Sequence, residues 1–223
     1  MCMGVLLLAG VFMLSREVVH VVAQNQKAAK TIVVDAGHGG DDPGMVTETL
    51  REKDLNLEIA KRLKNYLEKA GYYVEMTRTE DKGLYEPGSK NQKAQDMQNR
   101  VAFIGEKCPL LTVSIHQNSY PDSAVKGPQV FYYADSVEGE KLAKCIQDCM
   151  NEKLQVESPR QAKGNTTYYL LKKSPGTLNI VECGFMTNPK EAELLQKEEY
   201  QKKVAEAVGQ GIQEYLSQNA NSL

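Results

Sequence analysis

The chain reads as a single α/β domain: a mixed, mostly parallel central β-sheet flanked by helices on both faces. Three observations predict it. Short apolar runs alternate with longer segments whose apolar residues recur at three- and four-residue steps, the pattern of strands separated by helices. The runs themselves, such as Thr31–Ala36 (TIVVDA) and Leu111–Ile115 (LTVSI), are close to continuously apolar, as strands covered on both faces must be. At 223 residues, 41% hydrophobic and 25% charged, the chain suits one sizeable soluble domain with a short appendage, whereas two independent domains would each have a small core.

The elements follow in order. Thr31–Ala36 is the first strand. Leu55, Ile59, Leu63, Tyr66, Leu67 and Ala70 then mark one face of a helix, and Gly71 sits where a C-terminal cap is wanted. Tyr72–Arg78 alternates as a strand, and Met97, Val101 and Ile104 mark a second helix. Leu111–Ile115 is the next buried strand and Val130–Tyr133 another, followed by a helix from about Ser136 to Lys153. Short strands are expected at Tyr168–Leu171 and Leu178–Glu182, then a helix near Ala192. A final amphipathic helix carries Val204, Val208, Ile212 and Leu216. Two irregular stretches, Thr79–Asn91 and Glu157–Thr166, are rich in Gly, Pro and charge and are expected to be loops beside a site. No internal repeat interrupts this order.

The N-terminus departs from the rest. Met1 to Leu14 carries no charge, a run of about 14 residues that is short for a membrane span and suits the core of an export signal. Val21 and Ala23 offer small residues for cleavage before Gln24, but basic residues before the run are missing, so an uncleaved anchor stays open beside a cleaved signal. The organisation expected is a signal or membrane anchor over 1–23, a polar linker over 24–30, a catalytic domain over 31–218 and a short tail over 219–223.

Charge and cysteine content exclude several classes. A net charge of −2 supplies no global field toward nucleic acid, and the basic residues sit among acidic neighbours on helix-like stretches. The five cysteines form neither an even framework nor a CxxC pair, which argues against a disulfide scaffold or a zinc ribbon. Cys183 follows Glu182 on a strand and is expected to face the core on the opposite side.

Two of the three histidines, His38 and His116, stand just past apolar strand-like runs, and a third run, Leu178–Val181, delivers Glu182 in the same way. Strand ends are where an α/β scaffold presents groups to a shared cleft. A catalytic zinc site uses three nitrogen or oxygen ligands and leaves one position open for water. His38 and His116 can supply the nitrogens, and Glu52, at the opening of the first helix, can supply a carboxylate once the Gly-, Asp- and Pro-rich segment Gly39–Thr49 folds back. Glu182 can then serve as the carboxylate that moves the proton. The pattern by itself leaves open a blander reading, with both histidines in the core and both glutamates on the surface.

Four motifs in register, TIVVDAGHGGDDPG, REKDLNLEIAKRL, SIHQNS and NIVECGFMTNPKEAELL, make the sequence resemble the zinc-dependent N-acetylmuramoyl-L-alanine amidases of the amidase_3 family, from about Thr31 to Leu216. More narrowly, KGPQVFYY, the short Thr79–Asn91 loop and the single-domain layout are similar to the spore-cortex, germination-specific amidases. The resemblance implies Zn2+ held by His38, Glu52 and His116, with Glu182 as the catalytic glutamate. It also implies action on peptidoglycan glycan strands bearing stem peptides, in muramic-δ-lactam formation. The implied setting is outside the cytoplasm, in the forespore/mother-cell intermembrane space, where a separate protein could recruit or activate the enzyme. Asn118 matches the family asparagine and has two readings, orienting substrate or holding its loop. Arg78 and Arg100 match family positions and read as packing or buried-pair residues. Gly37, Gly39 and Gly40 read as backbone devices. Gln117 stands where the family often has a small residue. A zinc peptidase acting on cell-wall peptides and a non-catalytic peptidoglycan-binding module are the competing classes. The first is told apart by its product, the second by tolerance to loss of Glu182.

Overall fold

A computed structural model of the protein describes residues 30–220. The expected signal or anchor, all of the linker but Lys30, and the last three residues of the tail lie outside the described residues. The elements run β1 (Thr31–Ala36), α1 (Glu52–Lys69), β2 (Tyr73–Met76), α2 (Gln92–Lys107), β3 (Leu111–Asn118), β4 (Gln129–Tyr133), α3 (Val137–Lys153), β5 (Lys163–Asn165), α4 (Tyr169–Lys173), β6 (Leu178–Phe185), α5 (Pro189–Leu195) and α6 (Glu198–Ala220). The last helix runs two residues past the expected domain end at 218. No described helix is long and apolar enough to cross a membrane.

The strands form one six-stranded sheet in the order β2-β1-β3-β6-β4-β5. β2, β1, β3 and β6 pair in parallel, while β4 runs antiparallel to β6 and parallel to β5, so the sheet is mixed and mostly parallel as expected. Alternation along β1 divides the core. Ile32, Val34 and Ala36 pack with Leu55, Ile59 and Leu63 of α1, with α3 and with α6, whereas Val33 packs with Ile104 of α2 and Leu170 and Leu171 of α4. Helices therefore cover both faces. The chain leaves β1 toward β2 through α1 on one face and returns past β1 to β3 through α2 on the other. Reversing direction along the sheet while keeping crossovers of one hand requires that change of face. The C-terminal ends of β1 and β3 thus flank a topological switch point, where open α/β sheets form their clefts.

Local chemistry accounts for the helix ends. α1 opens with Glu52 and Asp54 in its first turn, where acidic charge complements the helix dipole. It closes on Gly71 at φ 89°, with the Tyr72 N–H returning to the Leu67 carbonyl at 3.1 Å. Ser136 and Asn188 cap α3 and α5 through their side chains. Two expectations need correction. Tyr168–Leu171 is not a strand: the Asn165 Oδ1 accepts the N–H groups of Thr167 and Tyr168 at 2.8 and 2.7 Å, and that turn starts the single-turn helix α4. The strand β5 instead lies just upstream, inside the stretch Glu157–Thr166 expected to be loop.

A buried ionic cluster joins β1 to α2. The Arg100 guanidinium, 1% exposed, donates to Asp35 and to Asp96 at 2.6 Å. Asp35, 1% exposed, also accepts the hydroxyls of Thr77 and Ser114. Burial alone would raise the Asp35 pKa. The Arg100 charge and the two hydroxyls outweigh it and lower the value from 3.8 to about 2. A carboxylate depressed in the folded state stabilises the fold above its unfolded pKa, and that contribution is lost as pH falls through about 2. Asp35→Asn should destabilise the domain by about 3–5 kcal/mol at neutral pH, because Arg100 loses a buried counter-charge. It should also flatten the acid limb of stability between about pH 4 and 2. Urea unfolding across pH 2–7 checks both, and a variant with the wild-type acid limb would contradict the assignment.

Candidate metal centre

The site begins where β1 ends. The Ala36, Gly37 and His38 carbonyls have left the sheet, and two guanidinium groups receive them. Arg100 donates to the Ala36 and His38 carbonyls at 2.9 and 2.7 Å, and Arg78 to those of Ala36, Gly37 and Lys53 at 2.9, 3.0 and 2.7 Å. Asn56 adds a bond to the Gly37 carbonyl at 3.1 Å. These bonds hold His38 at φ 61°, a left-handed conformation uncommon outside glycine. The strained turn aims its ring back across the end of β3. Gly37 lies directly beneath the His116 ring, so that a Cβ there would overlap the imidazole. Gly44, at φ 65°, leaves similar room for Glu52 and His38.

Glu52, the first residue of α1, sits between the two histidines. Its Oε1 lies 3.0 Å from His116 Nδ1 and accepts the Gln117 N–H at 3.1 Å and Asn56 Nδ2 at 3.2 Å. Its Oε2 lies 3.2 Å from His38 Nε2 and accepts the Met45 N–H at 2.9 Å. Burial would raise the Glu52 pKa, but hydrogen bonds and charge from His116 and His38 hold it far below the usual carboxylate range. The other nitrogen of His38, Nδ1, is 2.9 Å from Asp42 Oδ2. Against the opposing effect of burial, hydrogen bonds to Asp42 and Glu52 raise His38 to about 9. The rings of His38 and His116 meet edge to face at 5.0 Å.

One donor atom each from His38, Glu52 and His116 lie within 4.8 Å of one another, the sole such cluster capable of holding a metal among the described residues. Two imidazoles and a carboxylate are a donor set that suits zinc or a similar divalent ion. The Asp42 contact orients one imidazole from behind, as carboxylates do for metal-bound histidine.

Glu182 stands beside this cluster on β6, in register with His116 across the parallel pair. It is 8% exposed, and its Oε2 has no hydrogen-bond partner. Burial is the main reason its pKa rises to about 7; the Glu52 charge adds to the rise and the two histidines oppose it. A cavity of about 340 Å³ is lined by His38, His116 and Glu182, with Met97, Tyr168 and Tyr169 among its other walls. Cys183, the next residue on β6, faces the opposite side and joins the core there, as alternation requires.

The four residues expected from the sequence are therefore brought together. Asn118 is not among the cavity-lining residues; its Oδ1 accepts the Ser119 N–H at 2.8 Å and its carbonyl accepts the Met186 N–H at 2.9 Å. Gln117 is buried and donates to Asn56 Oδ1 at 3.1 Å, which binds it into the network around Glu52. Of the two irregular stretches, Thr79–Asn91 does border the site: Asp81 accepts the Gly40 N–H at 2.9 Å and Tyr85 accepts that of Asp41 at 2.7 Å. Glu157 and Ser158 line a different cavity. Asp42, Asn56 and Gly44 were not singled out from sequence; Asp42, four residues after His38, is the one that spacing could have signalled. Asp42→Ala should lower divalent-metal affinity about 10–100-fold with the fold retained. Competition against a chromophoric chelator, beside a thermal melt, measures this, and unchanged affinity would contradict the orienting role.

Comparison with known proteins agrees with this geometry. The Amidase_3 family, N-acetylmuramoyl-L-alanine amidase, matches residues 32–214. The germination-specific N-acetylmuramoyl-L-alanine amidase of Bacillus subtilis (strain 168) is 41% identical over 199 residues, covering 87% of this chain and 83% of that protein. The CwlD amidase from Clostridioides difficile, solved in complex with the GerS lipoprotein, superposes with a TM-score of 0.82 at 38% identity, covering 84% of this chain and 98% of the other. An N-acetylmuramoyl-L-alanine amidase from Clostridium difficile 630 gives a TM-score of 0.75 at 32% identity over 85% of this chain and 98% of that one. The chain belongs to the Amidase_3 family of N-acetylmuramoyl-L-alanine amidases.

Proposed function

We propose that this chain is a zinc-dependent amidase that cleaves the bond between N-acetylmuramic acid and L-alanine in spore-cortex peptidoglycan, the step that opens the way to muramic-δ-lactam. The observation that carries the chemistry is the cluster of His38, Glu52 and His116, whose two histidines line a cavity together with the buried Glu182, one oxygen of which has no hydrogen-bond partner. Likeness to the germination-specific amidase of Bacillus subtilis supports the cortex as substrate. An extracytoplasmic setting between forespore and mother-cell membranes follows from that substrate and from the apolar N-terminal run. A recruiting or activating protein belongs to the proposal on the precedent of the CwlD amidase with its lipoprotein.

A zinc ion held by His38, Glu52 and His116 would supply Lewis acidity toward the amide carbonyl and toward water. The residues of the chain do the rest. Asp42 faces His38 Nδ1 and favours the proton there, which would leave the Nε2 lone pair free to donate to a bound metal. Glu52 contributes the negative charge, kept ionised by its surrounding donors. Glu182 takes the proton from the attacking water and hands it to the nitrogen of the departing alanine. A carboxyl group that titrates near neutrality can perform both transfers. Met97, Leu170 and Ile180 give the cavity an apolar wall beside that exchange.

Glu182→Gln should keep one zinc per chain and lower kcat about 10²- to 10⁴-fold. Metal content and the release of alanine amino termini from purified cortex fragments check the two halves together. Normal cleavage by a zinc-loaded variant would overturn the role of Glu182, and release of single amino acids instead would point to a peptidase.

A further inference from the structure

The cavity at the metal centre does not end blindly. It shares Lys93, Met97 and Tyr169 with a groove of about 300 Å³ that follows α2 past Asn91, Ala94 and Gln98. It shares Asp42, Lys93 and Asp96 with a second groove of about 210 Å³ walled by Asp41, Tyr85 and Gln92. Lys93 is the one residue common to all three spaces. Two grooves diverging from one reaction chamber match a substrate that branches at the scissile bond, with a glycan strand on one side and a stem peptide on the other.

Lys93 is exposed; its charge reaches the Asp42 carboxylate and helps to lower its pKa, but among the described residues no hydrogen bond or ion pair engages its ammonium group. Two cations of the site are committed elsewhere: Arg100 to Asp35 and Asp96, and Lys53 to Asp81 and the Gly40 carbonyl. The acidic groups near Lys93 are also largely engaged. Asp96 holds Arg100 and the Leu84 N–H, and Asp42 holds His38 and the Gly44 N–H, while Asp41 stands exposed in the second groove. An ammonium group without a direct hydrogen-bond partner, at the branch point, is placed to meet an anion close to the reacting bond. In a stem peptide that anion is the free α-carboxylate of the γ-linked glutamate that follows alanine.

We propose that Lys93 is a specificity-determining residue that recognises this carboxylate, so that the enzyme prefers stem peptides with glutamate over those in which the group is amidated to isoglutamine. The inference rests on the amidase reading above. A charge-assisted hydrogen bond corresponds to roughly tenfold in kcat/KM.

The test uses the zinc-loaded full chain and two muramoyl-peptide substrates that differ only in glutamate or isoglutamine at the second stem position. The wild type should favour the glutamate substrate about tenfold, mainly through KM. Lys93→Gln should bring the ratio to about 1, and Lys93→Arg should keep a preference. A wild-type ratio near 1, or a Lys93→Gln variant that keeps the wild-type ratio, overturns the proposal. Failure of the wild type to cleave either substrate would instead overturn the amidase reading on which it stands.

Discussion

The centre depends on how the chain leaves β1. Three successive carbonyls, those of Ala36, Gly37 and His38, turn out of the sheet, and Arg78 and Arg100 receive all three, with Asn56 adding a bond to that of Gly37. Each arginine is almost wholly buried, and a buried guanidinium is tolerable only when its charge and donors are satisfied. Asp35 and Asp96 neutralise Arg100, while carbonyl oxygens satisfy Arg78. The clamp thus couples a strand, a helix and a loop to one backbone turn. That turn fixes His38 in its left-handed conformation, and the absence of a side chain at Gly37 lets the His116 ring lie against it.

Given that turn, two carboxylates at one centre acquire opposite characters. Glu52 and Glu182 are both buried, yet five donors surround the first and one oxygen of the second has none. The first is held ionised between two imidazoles, and the second is pushed to about 7. Divergent environments of this kind assign roles to like groups: the stabilised anion suits a ligand, and the strained one suits proton transfer. The division follows from where each residue sits in its element. Glu52 opens a helix, where backbone N–H groups and the Asn56 amide converge, whereas Glu182 sits mid-strand with Tyr168 and Leu170 of the neighbouring α4 segment among the cavity walls.

Much of this was legible in the sequence, for physical reasons that differ by residue. The strands β1, β3 and β6 are written as apolar runs, and the groups just beyond or within them, His38, His116 and Glu182, inherit their positions from the sheet. Glu52 was legible because a Gly- and Pro-rich connection ends at a helix start. What periodicity could not reveal was contact between distant segments: Asn56 against Gln117, or Arg100 against the His38 carbonyl, each more than 60 residues away. Arg78 and Arg100 read as packing residues, and they are buried, but their hold on the β1 exit is a tertiary fact. The α4 segment misled because five residues, YLLKK, are too few to show a period, and the Asn165 side chain decided the outcome.

The central claim is a division of labour, with three ligands and one carboxylate left free to move a proton. Anomalous diffraction at the zinc edge from crystals of the metal-loaded protein tests it most directly. A single strong peak bounded by His38, Glu52 and His116, with Glu182 outside the coordination sphere, is the predicted result. A peak elsewhere, or one in which Glu182 replaces Glu52 as the carboxylate ligand, would contradict it.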